Sequence, residues 1–103
     1  MRLVDLDPRW KEHDGNPRAG LIFKCPCCQN IWLTAKAAPI ATRDQFRMYE
    51  DEAKASGGQV VTCRSDAVWS FSGDDFATLS ATPSVDASAS GHWHGFITNG
   101  IIS

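Results

Sequence analysis

The chain has 103 residues, 43% of them hydrophobic and 21% charged, which is the size and balance of one globular domain and excludes a largely disordered or fibrous chain. Ten Lys and Arg stand against twelve Asp and Glu for a formal net charge of −2, and no basic side chain follows Arg64. That asymmetry argues against a general nucleic-acid binder, which shows a basic face. Only the first part of the chain can supply one, through Arg9, Lys11, Arg18, Lys24 and Lys36, and Asp5, Asp7, Glu12 and Asp14 interrupt that set.

The opening Met1-Arg2-Leu3-Val4-Asp5 lacks the apolar core of a secretory signal, and no apolar run approaches the ~20 residues of a membrane span. The expectation is a soluble, cytoplasmic protein with no membrane partner. Cysteines in that compartment serve as metal ligands or free thiols far more often than as disulfides.

Residues 1–20 read as an N-terminal arm and loop: Leu3 to Leu6 is a short strand or arm, and the Asp-, Pro- and Gly-rich stretch from Asp7 to Gly20 is a long loop. Leu21-Ile22-Phe23-Lys24 and Ile31-Trp32-Leu33-Thr34 are β-prone runs that flank a cysteine cluster, which predicts a hairpin with the cysteines at its tip. Thr42 fits a helix N-cap with Gln45 three residues on, Phe46, Tyr49 and Ala53 share a helical face, and Gly57-Gly58 ends it. The pattern predicts one helix near 43–56.

From Gly58 onward the chain reads as β structure. Strands are expected at Gln59–Cys63, at Ala67–Phe71 and at Phe76–Thr82, the last stopped by Pro83, with an exposed loop from Asp86 to Gly91. His94 to Ile97 and Ile101-Ile102 flank Asn99-Gly100, a strong hairpin signal because both turn residues tolerate positive φ. The fold class expected is therefore mostly β (α+β), a small zinc-stabilised sheet domain with hairpins and one helix.

Cys25-Pro26-Cys27-Cys28 contains a C-x-x-C pair after a strand. Two thiolates on such a turn reach one ion from the same side, and Pro26 pre-sets φ for the turn. Zinc takes four N or S donors in a tetrahedron, so a second pair must come from elsewhere. His92-Trp93-His94 offers it, because residues i and i+2 of a strand share a face. The candidate ligands are Cys25, Cys28, His92 and His94, with Cys63 or Cys27 as the alternatives to a histidine. Cys27 is the weaker of these, since adjacent residues seldom ligate one tetrahedral ion. The bland reading of Cys27 and Cys63 is a buried apolar thiol. A thioredoxin-type redox pair needs a helix starting at the motif, and here a β run follows.

Other residues read as structural. Trp69, Trp93, Phe71, Phe76 and Phe96 suit a core, Trp10 is expected to fold back over a sheet, and Gly73-Asp74-Asp75 is a turn before it is a general base.

Cys25-Pro26-Cys27-Cys28, Trp69-Ser70-Phe71-Ser72-Gly73-Asp74, Thr82-Pro83-Ser84-Val85 and His94-Gly95-Phe96-Ile97-Thr98-Asn99-Gly100 occur here in one order. In that order and spacing the chain resembles, over roughly residues 20–103, a family of small phage and bacterial zinc-knuckle proteins of unknown function. Some of these carry the misleading label "ammonia monooxygenase". The resemblance implies that Cys25, Cys28 and His94 are metal ligands. Members tend to carry a cysteine just before that histidine, where this chain has Gly91, His92 and Trp93. Either His92 takes that place, or Cys63 completes the site, or three protein ligands suffice.

Three functions follow as expectations. The first is a zinc-stabilised binding module that contacts a protein partner, in a phage setting an accessory or counter-defence protein. The second is a zinc-dependent hydrolase with an open metal position and Asp74 or Asp75 as base. The third is a nucleic-acid-binding zinc ribbon that uses the hairpin around Lys24 and Lys36.

Overall fold

The structure, a computed structural model, describes residues 1–13, 15–29, 31–37, 59–62 and 68–103. The expected helix near 43–56 and Cys63 lie outside the described residues. What is described is mostly β, in two four-stranded sheets. The first sheet has the order β1 (Arg9–His13), β2 (Asn16–Lys24), β3 (Ile31–Lys36), β4 (Gln59–Thr62). Its pairs are antiparallel except β3–β4, which is parallel. The second is an antiparallel sheet of β5 (Ser70–Ser72), β6 (Ser80–Asp86), β7 (His94–Thr98) and β8 (Ile101–Ile102).

Strand alternation sorts the side chains into an inner and an outer face. Leu21, Phe23 and Cys25 on one edge of the β2–β3 hairpin, and Ile31, Leu33 and Ala35 on the other, join a single buried cluster. From the second sheet Leu79, Ala81, Val85, Ile97 and Ile102 enter the same cluster. Each large side chain buried there contributes ~1.5–3 kcal/mol of transfer free energy. Trp69 is fully buried between the sheets and its indole Nε1 donates to the Ser84 carbonyl at 3.2 Å, so the polar atom of the largest core residue is satisfied.

The stretch 7–20, expected to be a loop, is instead mostly the β1–β2 hairpin, turning at Gly15 with φ +78. Its polar and Pro-rich composition hides one apolar anchor. Trp10 pairs with Leu21, packs on the core and meets Phe71 edge-on at 5.2 Å and Phe76 in a stack at 5.3 Å. Residues Leu3–Leu6 form a 3-10 turn, neither strand nor arm, with Leu3 and Leu6 completely buried.

Pro83 does not stop a strand, as expected, but sits inside β6. The β6–β7 register shifts between Ala81 and Val85, and in that irregular stretch a missing N–H costs no ladder bond. The strand therefore starts later than expected, at Ser80, and Gly73-Asp74-Asp75 is the turn that precedes it. Asp75 Oδ1 accepts from the Thr78 amide at 3.0 Å, while the Arg18 guanidinium donates to the Gly73 and Asp74 carbonyls.

The Asn99-Gly100 turn has φ of 49° and 76°. Gly100 also lies hard against the Ala77 carbonyl, its amide donates to Leu79 O at 2.8 Å, and its carbonyl accepts from Leu3 N at 2.9 Å. A Cβ there meets backbone on one side and a left-handed conformation on the other. Gly100→Ala is expected to destabilise the protein by about 2 kcal/mol or more. Urea unfolding checks this, and an unchanged midpoint contradicts the role given to the turn.

Candidate metal centre

The tip of the β2–β3 hairpin is a tight turn. The Cys25 amide donates to Ile31 O at 2.9 Å, closing the hairpin, and the Gln29 amide returns to Cys25 O at 2.8 Å, wrapping residues 25–28 into one turn. Gln29 takes φ 55° to leave it. This wrapping gathers the side chains of Cys25, Cys27 and Cys28. Cys25 continues the inner face of β2 and is completely buried, Cys28 is half-buried, and Cys27 is exposed.

The fourth member comes from the other sheet. Between β6 and β7 the chain makes a closed loop: His92 N donates to Ala87 O at 3.1 Å and Ala87 N to Trp93 O at 3.0 Å. Asp86 Oδ1 accepts the Ser88 amide at 2.9 Å and fixes the start of the loop. Trp93 anchors its end, meeting Phe23 edge-on with ring centroids 6.1 Å apart. Its ring lies on the backbone of Gly95, where a Cβ would come within 2.6 Å of it. His92 is thereby set beside the cysteine turn.

Sγ of Cys25, Cys27 and Cys28 and a ring nitrogen of His92 all lie within 4.8 Å of one another. Cys25 Sγ and Cys27 Sγ are 3.0 Å apart, and His92 Nδ1 stands 4.0 Å from Cys25 Sγ and 3.9 Å from Cys27 Sγ. Four such atoms are close enough to hold one metal ion. Ligands about 2.3 Å from a tetrahedral ion stand roughly 3.8 Å apart, so the His92 distances already suit an ion and the Cys25–Cys27 sulfurs would part by roughly 0.8 Å to hold one.

Three of these four residues belong to the pattern read from sequence and the fourth to its alternatives, so the set differs from the expected one. His94 is not in the group. It opens β7 opposite Asp86, and its Nε2 shares a hydrogen bond with Ser84 Oγ at 3.2 Å. The i, i+2 argument fails because β7 begins at His94, so His92 and His94 do not share a strand. Cys27 is in the group although it neighbours Cys28. A helical wrap of the turn, not an extended chain, carries these residues, and it brings adjacent sulfurs to one side. The return bond from Gln29 to Cys25 is the local feature that distinguishes the two cases, and the sequence signals it only weakly.

The two closest thiols share their protons unequally. Burial pushes the Cys25 thiol up, but hydrogen bonds from the Cys27 side chain and from the Trp93, Cys27 and Cys28 backbone outweigh it and hold Cys25 below its ordinary value of 9.0. Cys27 is pushed up to about 11, first by its hydrogen bond to Cys25, then by burial, by a bond to Cys28 and by the neighbouring negative charges. The two shifts describe one coupled pair in which the Cys25 thiolate accepts from the Cys27 thiol. That arrangement is ready to give up its proton to a cation, since metal binding requires the thiolates.

The chain has no match among known protein-family models, curated proteins or solved structures.

Cys27 favours its neutral form in the folded protein. Its stabilisation is present below the unfolded value of 9.0 and is lost as pH rises through about 11. Metal-free protein is therefore expected to lose stability between these pH values, and Cys27→Ser to flatten that part of the profile. Thermal unfolding of both proteins in the presence of chelator checks this; identical profiles contradict the coupling.

Proposed function

We propose that the chain is a zinc-stabilised binding module. The zinc is structural, held by Cys25, Cys27, Cys28 and His92, and the module works by contact with a protein partner. One observation carries the metal reading: three sulfurs and one imidazole nitrogen from two sheets lie within 4.8 Å of one another. Thiolates with one imidazole are the donor chemistry that zinc prefers, and four protein donors fill its tetrahedron. A hydrolytic zinc needs a position for water, so the fourfold set favours a structural ion over the hydrolase reading. Ion binding here closes the long chain segment from Cys28 to His92 and couples metal affinity to folding.

The contact reading is supported by the outer face of the second sheet. Phe96 is 56% exposed and Ile101 47% exposed. Phe96 exchanges both backbone bonds with Ser103, and Thr98 pairs with Ile101, so both apolar side chains stand on one face. His94, Ser84 and Thr98 extend this surface with hydrogen-bonding groups, and Asp86, opposite His94, adds one carboxylate at its edge. Aromatic and aliphatic groups set among neutral polar ones are the make-up of a protein-contact core. The likeness to the phage and bacterial zinc-knuckle family supports an accessory or counter-defence setting for that contact. No helix among the described residues is long and apolar enough to cross a membrane.

Chelation is expected to lower the melting temperature steeply, and re-addition of zinc to restore it. Cys25→Ser and His92→Ala are expected to behave like chelated protein, whereas His94→Ala retains the zinc-dependent rise. A melting temperature that is indifferent to chelator and zinc contradicts the structural ion. Phe96→Asp with Ile101→Asp leaves that rise intact but abolishes recovery of the partner recovered by the unaltered protein. Recovery of the same partner by both contradicts the assigned contact face.

A further inference from the structure

The four donors of the metal centre differ in access. Cys25 is completely buried, Cys28 and His92 are half-buried, and Cys27 is exposed. Cysteine ligands of a metal are thiolates, and the thiolate is the form of cysteine that attacks electrophiles. With the ion bound, which rests on the structural-zinc reading above, Cys27 is a nucleophilic sulfur that a small oxidant in solution reaches directly.

The turn also supplies a partner for that sulfur. Cys25 Sγ lies 3.0 Å from Cys27 Sγ. The Gln29 amide bond back to Cys25 O gives the turn its helical wrap. In such a wrap residues i and i+2 have Cα atoms roughly 5.4 Å apart, inside the range of about 4.4–6.8 Å that a disulfide spans. The other neighbour, Cys28, is less suited. Consecutive Cα atoms stand about 3.8 Å apart, below that range, so a bridge from Cys27 to Cys28 distorts the peptide between them. Once Cys27 is oxidised, Cys25 is therefore the sulfur placed to resolve it.

We propose that Cys27 is a site of oxidative modification, where hydrogen peroxide drives a Cys25–Cys27 disulfide that expels the ion. The Cys27 thiolate attacks one peroxide oxygen, the O–O bond breaks, and the other oxygen leaves as hydroxide and takes a proton to become water. Cys27 is then a sulfenic acid. The Cys25 thiolate attacks the Cys27 sulfur and displaces its hydroxyl, which leaves as a second water once protonated. In sum two thiolates lose two electrons to form one S–S bond, and one peroxide with two protons becomes two waters. Cys28 and His92 remain, which is two donors short of the zinc tetrahedron, so the ion departs. Its loss unfastens the cysteine turn from the His92 loop, which leads into β7, the strand that carries Phe96.

The test is to treat the zinc-loaded full chain with hydrogen peroxide beside a colorimetric zinc indicator, with a parallel sample of glutathione as the reactivity standard. Zinc release is expected in step with the loss of two thiols per ion, and reductant with added zinc restores the loaded form. Differential alkylation with peptide mass analysis is expected to place the bridge between Cys25 and Cys27, with Cys28 and Cys63 still present as thiols. Zinc-loaded Cys27→Ser is expected to release its ion at least about fivefold more slowly, because the exposed sulfur is gone. If that variant holds no zinc, the bridge map of the unaltered protein decides alone. A chain that keeps its zinc over the time that consumes the glutathione overturns the proposal and leaves the structural ion standing. A bridge between Cys25 and Cys28, a bridge to Cys63, or release without a bridge overturns it in the same way. A chain that holds no zinc before peroxide is added overturns the structural-ion reading, and this proposal with it.

Discussion

The two sheets meet where the cysteine turn at the tip of β2–β3 faces the His92 loop that leads into β7, and four donor atoms there lie close enough to hold one metal ion. The two elements belong to different sheets and are far apart in sequence. A small domain has a poor ratio of buried to exposed surface, so a metal cross-link at this point would carry more weight than in a larger one. It also has to be positioned well. Cys25 is placed by the inner face of β2, where alternation puts it in line with Leu21 and Phe23. His92 is placed by Trp93, clamped between Phe23 and the bare backbone of Gly95. Phe23 thus supports both halves of the site: its own strand carries Cys25, and its ring braces the residue next to His92.

The inner faces are committed to one core, and the opposite faces differ in burial and chemistry: Ile22 and Thr34 are buried on that of the first sheet, whereas Phe96 and Ile101 stand exposed on that of the second. The first carries Arg9, Lys11, Lys24 and Lys36 around Trp32, and the second carries Phe96 and Ile101 beside His94, Ser84, Thr98 and Asp86. The division follows from the sequence asymmetry, since no Lys or Arg follows Arg64 and the second sheet is built entirely from that later part.

How much of this the sequence carried varies by element. The mostly-β class, the cysteine-tipped hairpin and the Asn99-Gly100 turn were all legible, because each rests on a local rule: β-prone runs, a compact Cys motif, two residues that tolerate positive φ. The β1–β2 hairpin was not, because Asp, Pro and Gly dominate its composition and its one anchor, Trp10, acts through the distant Phe71 and Phe76. β6 runs through Pro83 because the ladder to β7 is irregular there, with four residue steps from Ala81 to Val85 against two from Ile97 to Gly95, a register feature that no local rule encodes. In the site, Cys25, Cys28 and His92 were candidates from spacing alone. The exchange of His94 for Cys27 depends on where β7 starts and on how tightly residues 25–29 wrap, and both are set by hydrogen bonds that no spacing rule encodes.

The central claim is that three sulfurs and one imidazole close around a single ion. X-ray absorption at the zinc edge, on protein loaded with one equivalent of zinc, tests it most directly. The account predicts a four-coordinate ion with three sulfur ligands at about 2.3 Å and one nitrogen at about 2.0 Å, falling to two sulfurs in Cys27→Ser. A shell of two sulfurs in the unaltered protein, an oxygen ligand from water, or failure to retain the ion would contradict it.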